Sequence, residues 1–116
     1  MPSLSLRINL DPEGRIGPGK VELLEQIAAR GSIAAAGRSM GMSYRRAWEL
    51  VEELNGVFGK AVVARQTGGR HGGGATLTPL GFALVARFRA VERAAAQAAE
   101  VHLAALQSEV DLPADN

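Results

Sequence analysis

The sequence predicts a mostly α-helical chain with a small β-sheet, and three observations predict it. Apolar residues recur at three- and four-residue spacing in separate stretches that begin at capping residues and end at glycines. Two short β-prone runs flank a glycine-rich stretch, Thr67-Gly68-Gly69-Arg70-His71-Gly72-Gly73-Gly74-Ala75-Thr76-Leu77-Thr78. A last helical pattern then runs without proline from Pro79 to about Leu106. With 116 residues this is one domain with a short appendage, long enough to bury a small core. Aromatic residues make up only 4% of the chain, so that core is thin and pairing with a second copy is expected.

The elements follow in order. Leu4, Leu6, Ile8 and Leu10 alternate with Ser3, Ser5, Arg7 and Asn9, the period of a half-buried strand. Asp11 to Gly19 holds prolines and glycines and reads as a loop. From Pro18, Val21, Leu24, Ile27 and Ala28 share one helical face, and Gly31 stands where a left-handed glycine ends such a helix. Ser32 caps a short second helix, Ile33 to about Met40, with Ile33, Ala36 and Met40 as its stripe and small residues from Ala34 to Gly37 for close packing. Gly41 breaks it. Ser43 caps a third helix to about Phe58, whose core face is Ala47, Leu50, Val51, Leu54 and Phe58. Ala61–Arg65 and Ala75–Thr78 form a hairpin around the glycines. Thr78 caps the long helix with Pro79 in its first turn, and Leu84, Phe88, Val91, Ala95 and Ala98 step along it in heptad fashion. This divides the chain into residues 1–78, a helix over 79–106 and a polar tail over 107–116.

Charge is segregated. Residues 30–93 carry ten basic side chains against four acidic ones, a net of +6, whereas residues 1–29 are at −1 and residues 94–116 hold four acidic residues and no basic ones. A basic middle of this kind suits a polyanion. The absence of cysteine excludes disulfides and thiolate metal sites and fits a reducing cytoplasm. No signal peptide and no membrane span is expected. His71 and His102 are too far apart for a metal site, and no nucleophile, base and orienter occur at suggestive spacing, so neither catalysis nor a cofactor is predicted.

Helix, glycine turn, helix and basic hairpin is the layout of a winged helix-turn-helix. In that layout the second helix of the pair enters the major groove N-terminus first. The residues placed to meet duplex DNA are then Ser43, Tyr44, Arg45, Arg46 and Trp48, with Ser32 at the start of the preceding helix and Arg65, Thr67, Arg70 and His71 on the wing. Arginine forks onto a guanine edge or a phosphate. Glycines let the wing backbone approach a sugar-phosphate rail. Alternatives stand beside these readings. Arg45 and Arg46 can pair with Glu49, Glu52 or Glu53, and Trp48 can be a core aromatic. The glycine hairpin can be a solvated tip, and the long helix can dock a separate effector-binding subunit. The glycine run has no Gly-Lys-Ser/Thr ending and leads into no helix directly, which argues against a nucleotide loop.

The elements Gly31-Ser32-Ile33, Ser43-Tyr44-Arg45-Arg46-Ala47-Trp48, Glu53-Leu54-Asn55 and Thr67 to Thr78 occur in an order and spacing that resemble the N-terminal domain of the molybdate-dependent transcriptional regulator (ModE) family. The broader LysR group shares the layout but not this glycine-rich wing. The resemblance covers roughly Leu4 to Leu106. It implies a winged helix with a long dimerisation helix, hence a homodimer through residues 79–106, and DNA contact through Ser43, Tyr44, Arg45, Trp48, Thr67 and Arg70. It also implies a link to molybdenum genes. Full-length members carry β-rich molybdate-binding domains; no residue here corresponds to them, so no molybdate site is expected in this chain.

Overall fold

The computed structural model describes residues 1–66 and 73–110. The chain runs β1 (Ile8–Leu10), β2 (Gly14–Ile16), α1 (Pro18–Arg30), α2 (Ile33–Ser39), α3 (Tyr44–Phe58), β3 (Val63–Gln66), β4 (Gly74–Leu77) and α4 (Pro79–Ser108). This is the mostly α-helical, winged helix-turn-helix architecture with a long last helix that the patterning predicts. The two sheets are separate antiparallel pairs, β1 with β2 and β3 with β4.

The local signals hold. Ser32, Ser43 and Thr78 each cap a helix, accepting the backbone N–H of Ala35, Arg46 and Gly81 respectively. Gly31 ends α1 in the left-handed conformation at φ 77°, its N–H donating to Ile27. Between α2 and α3 the N–H groups of Met40 and Met42 both turn back to the Gly37 carbonyl, and Gly41 supplies the positive φ of 72° that the turn needs. A Cβ on Gly37 would sit 3.2 Å from that of Ala47, so two small residues bring α2 and α3 together.

The core collects Val21, Leu24 and Ile27 of α1, Ile33 and Ala36 of α2, Ala47, Leu50, Val51 and Leu54 of α3, and Leu84 and Phe88 of α4. Phe58 and Met40, the remaining members of the predicted stripes, are partly buried against it. Burial of each large apolar side chain stabilises the fold by about 1.5–3 kcal/mol. Leu23 joins this core, and Ala28 in the last turn of α1 is exposed. Helix α1 touches α2 and α3 and also β4 and α4, so its buried arc is wider than the single stripe read from the sequence.

Three expectations need correction. The strand expected from Leu4 contains only Ile8–Leu10, and Leu4 and Leu10 are exposed. A strand extends only where it has a partner, and its partner β2 is three residues long. That partner lies inside Asp11–Gly19, read as a loop; Ile16 pairs with Ile8 and is buried. Finally, α4 continues two residues past Leu106. Beyond Arg89 no described residue of α4 is buried, and Val91, Val101 and Leu106 are exposed.

Wing and long helix are fastened at Val62. Its N–H donates to Asn55 Oδ1 (2.9 Å) and its carbonyl accepts from the Thr78 N–H (3.0 Å). Thr78 Oγ1 donates to the Ala61 carbonyl at 2.8 Å. A Cβ on Gly81 would stand 2.2 Å from the Val62 carbonyl oxygen. On the other side of the wing, Ala75 N–H donates to the Gly31 carbonyl at 2.8 Å. Arg89 spans α1 and α4, donating to both oxygens of Glu25 and to Glu92; these bonds, to Glu25 first, raise its pKa further and keep it charged.

Gly81→Ala is expected to lower stability by about 1–3 kcal/mol, the range for overpacking a tight site, because the contact is backbone and cannot rotate away. Thermal denaturation measures it; an unchanged Tm would show that α4 lifts off Val62 at no cost.

Candidate nucleic-acid interface

Successive residues of a helix step by about 100°, so Arg45 lies opposite the core face of α3, with Tyr44 and Arg46 fanned to its two flanks. Ser43 holds the start of the helix, its Oγ accepting the Arg46 N–H at 3.1 Å. The first turn contains no acidic residue. Arg45, in the middle of the fan, has a side chain 89% exposed. Trp48 is 37% and Tyr44 46% exposed, so neither belongs to the buried core, and the alternative of a core tryptophan falls away.

The weighed alternative for the arginines is present. Glu49 takes both, at 3.2 Å from Arg45 Nε and 3.7 Å from Arg46 Nη1. One carboxylate shared by two cations leaves a surplus of one positive charge. The pairs are largely exposed, where such contacts contribute about 0.2–1 kcal/mol, so an incoming phosphate displaces Glu49 at small cost.

Tyr44 lies toward the wing. Arg65 Nη2, on β3, donates to Tyr44 Oη at 2.7 Å, joining residues 21 positions apart. Beside this bond a hollow of about 380 Å³ opens between α2, α3 and the base of the wing, lined by Ser32, Ile33, Ala34, Tyr44, Arg65 and Gly74. Gly74 has to be small there, since a Cβ would approach the Gly31 carbonyl to 3.2 Å. Ser32 borders the hollow, and its Oγ accepts the Ala35 N–H at 3.0 Å. The structure thus brings Ser32, Tyr44 and Arg65 together around one hollow, while Ser43, Arg45, Arg46 and Trp48 follow around the first turns of α3, Arg46 bordering a separate cleft. Thr67, Arg70 and His71 lie outside the described residues.

Asn55 is a structural anchor that the sequence pattern does not single out. It fixes the wing to the end of α3 through Val62, and the sequence marks it only as part of Glu53-Leu54-Asn55. Among the described residues, no helix is long and apolar enough to cross a membrane.

Comparison with known proteins agrees with this geometry. The molybdenum-pterin-binding protein MopB of Rhodobacter capsulatus is 43% identical over 83 residues, which are 72% of this chain and 31% of that protein. The molybdenum transport protein ModE of Azotobacter vinelandii is 36% identical over 74% of this chain and 33% of its own length. The DNA-binding transcriptional dual regulator ModE of Escherichia coli K12 is 41% identical over 59% of this chain and 26% of its own. The chain spans about a third of the length of the curated relatives it matches. The model of the bacterial regulatory helix-turn-helix protein, lysR family, matches residues 19–81, from the first turn of α1 through the wing to the first turn of α4. That match covers more than half of the chain, and the chain belongs to this family.

Proposed function

We propose that this chain reads specific sequences in duplex DNA as part of a transcriptional regulator, one that governs molybdenum-related genes. The observation that carries the reading is the exposed basic fan Tyr44–Arg46, tied by the Tyr44–Arg65 bond to the base of a basic wing. Arg45, outermost, reaches the base edges, where a bidentate contact to guanine contributes about 1–3 kcal/mol of discrimination. Tyr44, Arg65 and the hollow beside them meet the sugar-phosphate wall on the wing side, with Ser32 and Ser43 at its margin. Thr67, Arg70 and His71 extend that wall along the wing, and Trp48 lies one turn behind Tyr44, facing sugar or a thymine methyl. The named roles of the relatives, DNA-binding regulation for the Escherichia coli protein and molybdenum binding or transport for the others, support the molybdenum link.

The reading includes a homodimer through residues 79–106. Val91, Val101 and Leu106 are exposed on the part of α4 beyond Arg89, where no described residue is buried. Pairing there sets two copies of α3 to read an inverted repeat, with half-sites about 34 Å apart or a multiple of it. The same exposed helix would serve a docking module, but the family match and the basic fan favour the DNA reader.

Two experiments test this. Arg45→Ala is expected to narrow the gap between selected and scrambled duplexes by about 1–3 kcal/mol, whereas Arg65→Ala weakens both alike. Equal losses for Arg45→Ala would move that residue from the bases to the backbone. In sedimentation equilibrium, Val91→Glu is expected to convert a dimer to a monomer; a wild-type chain that sediments as a monomer removes the dimer from the reading.

A further inference from the structure

On the flank of α3 away from the wing, Arg46 looks into an open cleft of about 950 Å³ that also holds Arg7, Arg15 and Lys20. The β1–β2 register sets the two arginines. Ile8 pairs with Ile16 on the inner face and Asn9 with Arg15 on the outer, so Arg7 and Arg15 are diagonal neighbours on the outer face. Arg7 crosses the hairpin over Gly17, where a Cβ would stand 3.3 Å from its Nε. Among the described residues, neither arginine has a carboxylate within 4.0 Å. Lys20 pairs with Glu53 of α3 at 3.0 Å and donates to the Arg15 carbonyl, which holds hairpin, α1 and α3 together. Counting Glu13 as well, the cleft holds four cations and two anions.

Arg7 and Arg15 set two cations near each other on the outer face of the hairpin, so an anion placed between them is attracted by both. Arg46 gives the position of that anion. Tyr44 and Arg46 stand about 200° apart around α3, one facing the wing and the other this cleft, with Arg45 between them. A helix lying in a major groove about 12 Å wide has a phosphate strand on each side. The wing serves one wall.

We infer that the N-terminal hairpin serves the other: Arg7 and Arg15, continuous with Arg46, grip the backbone phosphates of duplex DNA on the side opposite the wing. The inference rests on the DNA-reading proposal above and adds a second contact that the sequence pattern does not suggest. These contacts carry no sequence information. They position α3 and contribute to the salt dependence of binding.

The test is a salt titration of the full chain with the double variant Arg7→Ala/Arg15→Ala, using a duplex selected in vitro by the wild type and a scrambled duplex of equal length. Removing one phosphate-neutralising side chain lowers the slope of log K against log salt by about 0.9, so the slope is expected to fall by about 1.8, with affinity for both duplexes reduced by the same factor. Arg7→Lys/Arg15→Lys is expected to restore the slope, which a change in folding would not do. A wild-type slope in the alanine variant overturns the hairpin contact and leaves the wing and α3 standing. A wild-type chain with no affinity for either duplex overturns the hairpin contact together with the reading beneath it.

Discussion

The backbone of one buried residue, Val62, holds the working parts in register. Buried peptide groups have to be paired, and Val62's N–H and carbonyl both find partners at the root of the wing. Its N–H goes to the end of α3 through Asn55, and its carbonyl goes to Thr78 at the root of α4. Gly81 presses the first turn of α4 against that same carbonyl, where no side chain fits. The third helix, the wing and the long helix are therefore joined through the two peptide groups that flank one residue. The second anchor, Ala75 N–H to the Gly31 carbonyl, fixes the wing against the end of α1, so the wing base cannot pivot on its first attachment.

On this frame the polar surface is lightly committed. The arginines of α3 share one exposed carboxylate, and the Tyr44–Arg65 bond is exposed. Such contacts orient side chains without holding them strongly, which suits groups that exchange an internal partner for an external phosphate. The firmly held ion cluster, Arg89 with Glu25 and Glu92, lies between α1 and α4, where it fastens elements.

What is legible in the sequence is what is local. Ser32, Ser43 and Thr78 as caps, and Gly31 and Gly41 as left-handed turns, depend on neighbours within four residues, and the structure has each of them. Strand ends are set by partners. The alternation from Leu4 to Leu10 overstates β1, because no pattern shows that the partner is three residues of an apparent loop. Leu23 escapes a single-stripe reading because α1 is covered from more than one direction. The exposed residues Tyr44, Arg45, Arg46 and Trp48 are legible as those left outside the core stripe, and Arg65 as part of the wing, but the Tyr44–Arg65 bond is not: it joins residues brought together only by the fold. The shared Glu49 is legible as a possibility at three- and four-residue spacing, and geometry selects it over Glu52 and Glu53. Arg7 and Arg15 read as ordinary charges in an acidic segment until the hairpin register sets them on one face.

Helix α4 is continuous for 30 residues from its wedged first turn, and its far half is free of the rest of the described chain. At 1.5 Å per residue it is a rod about 45 Å long, so a tilt of about 5° at its root carries its tip about 4 Å. The wedge at Gly81 consequently acts as the fulcrum of a lever. Anything that grips the tip bears on Val62, the residue whose backbone also ties down the wing and the end of α3.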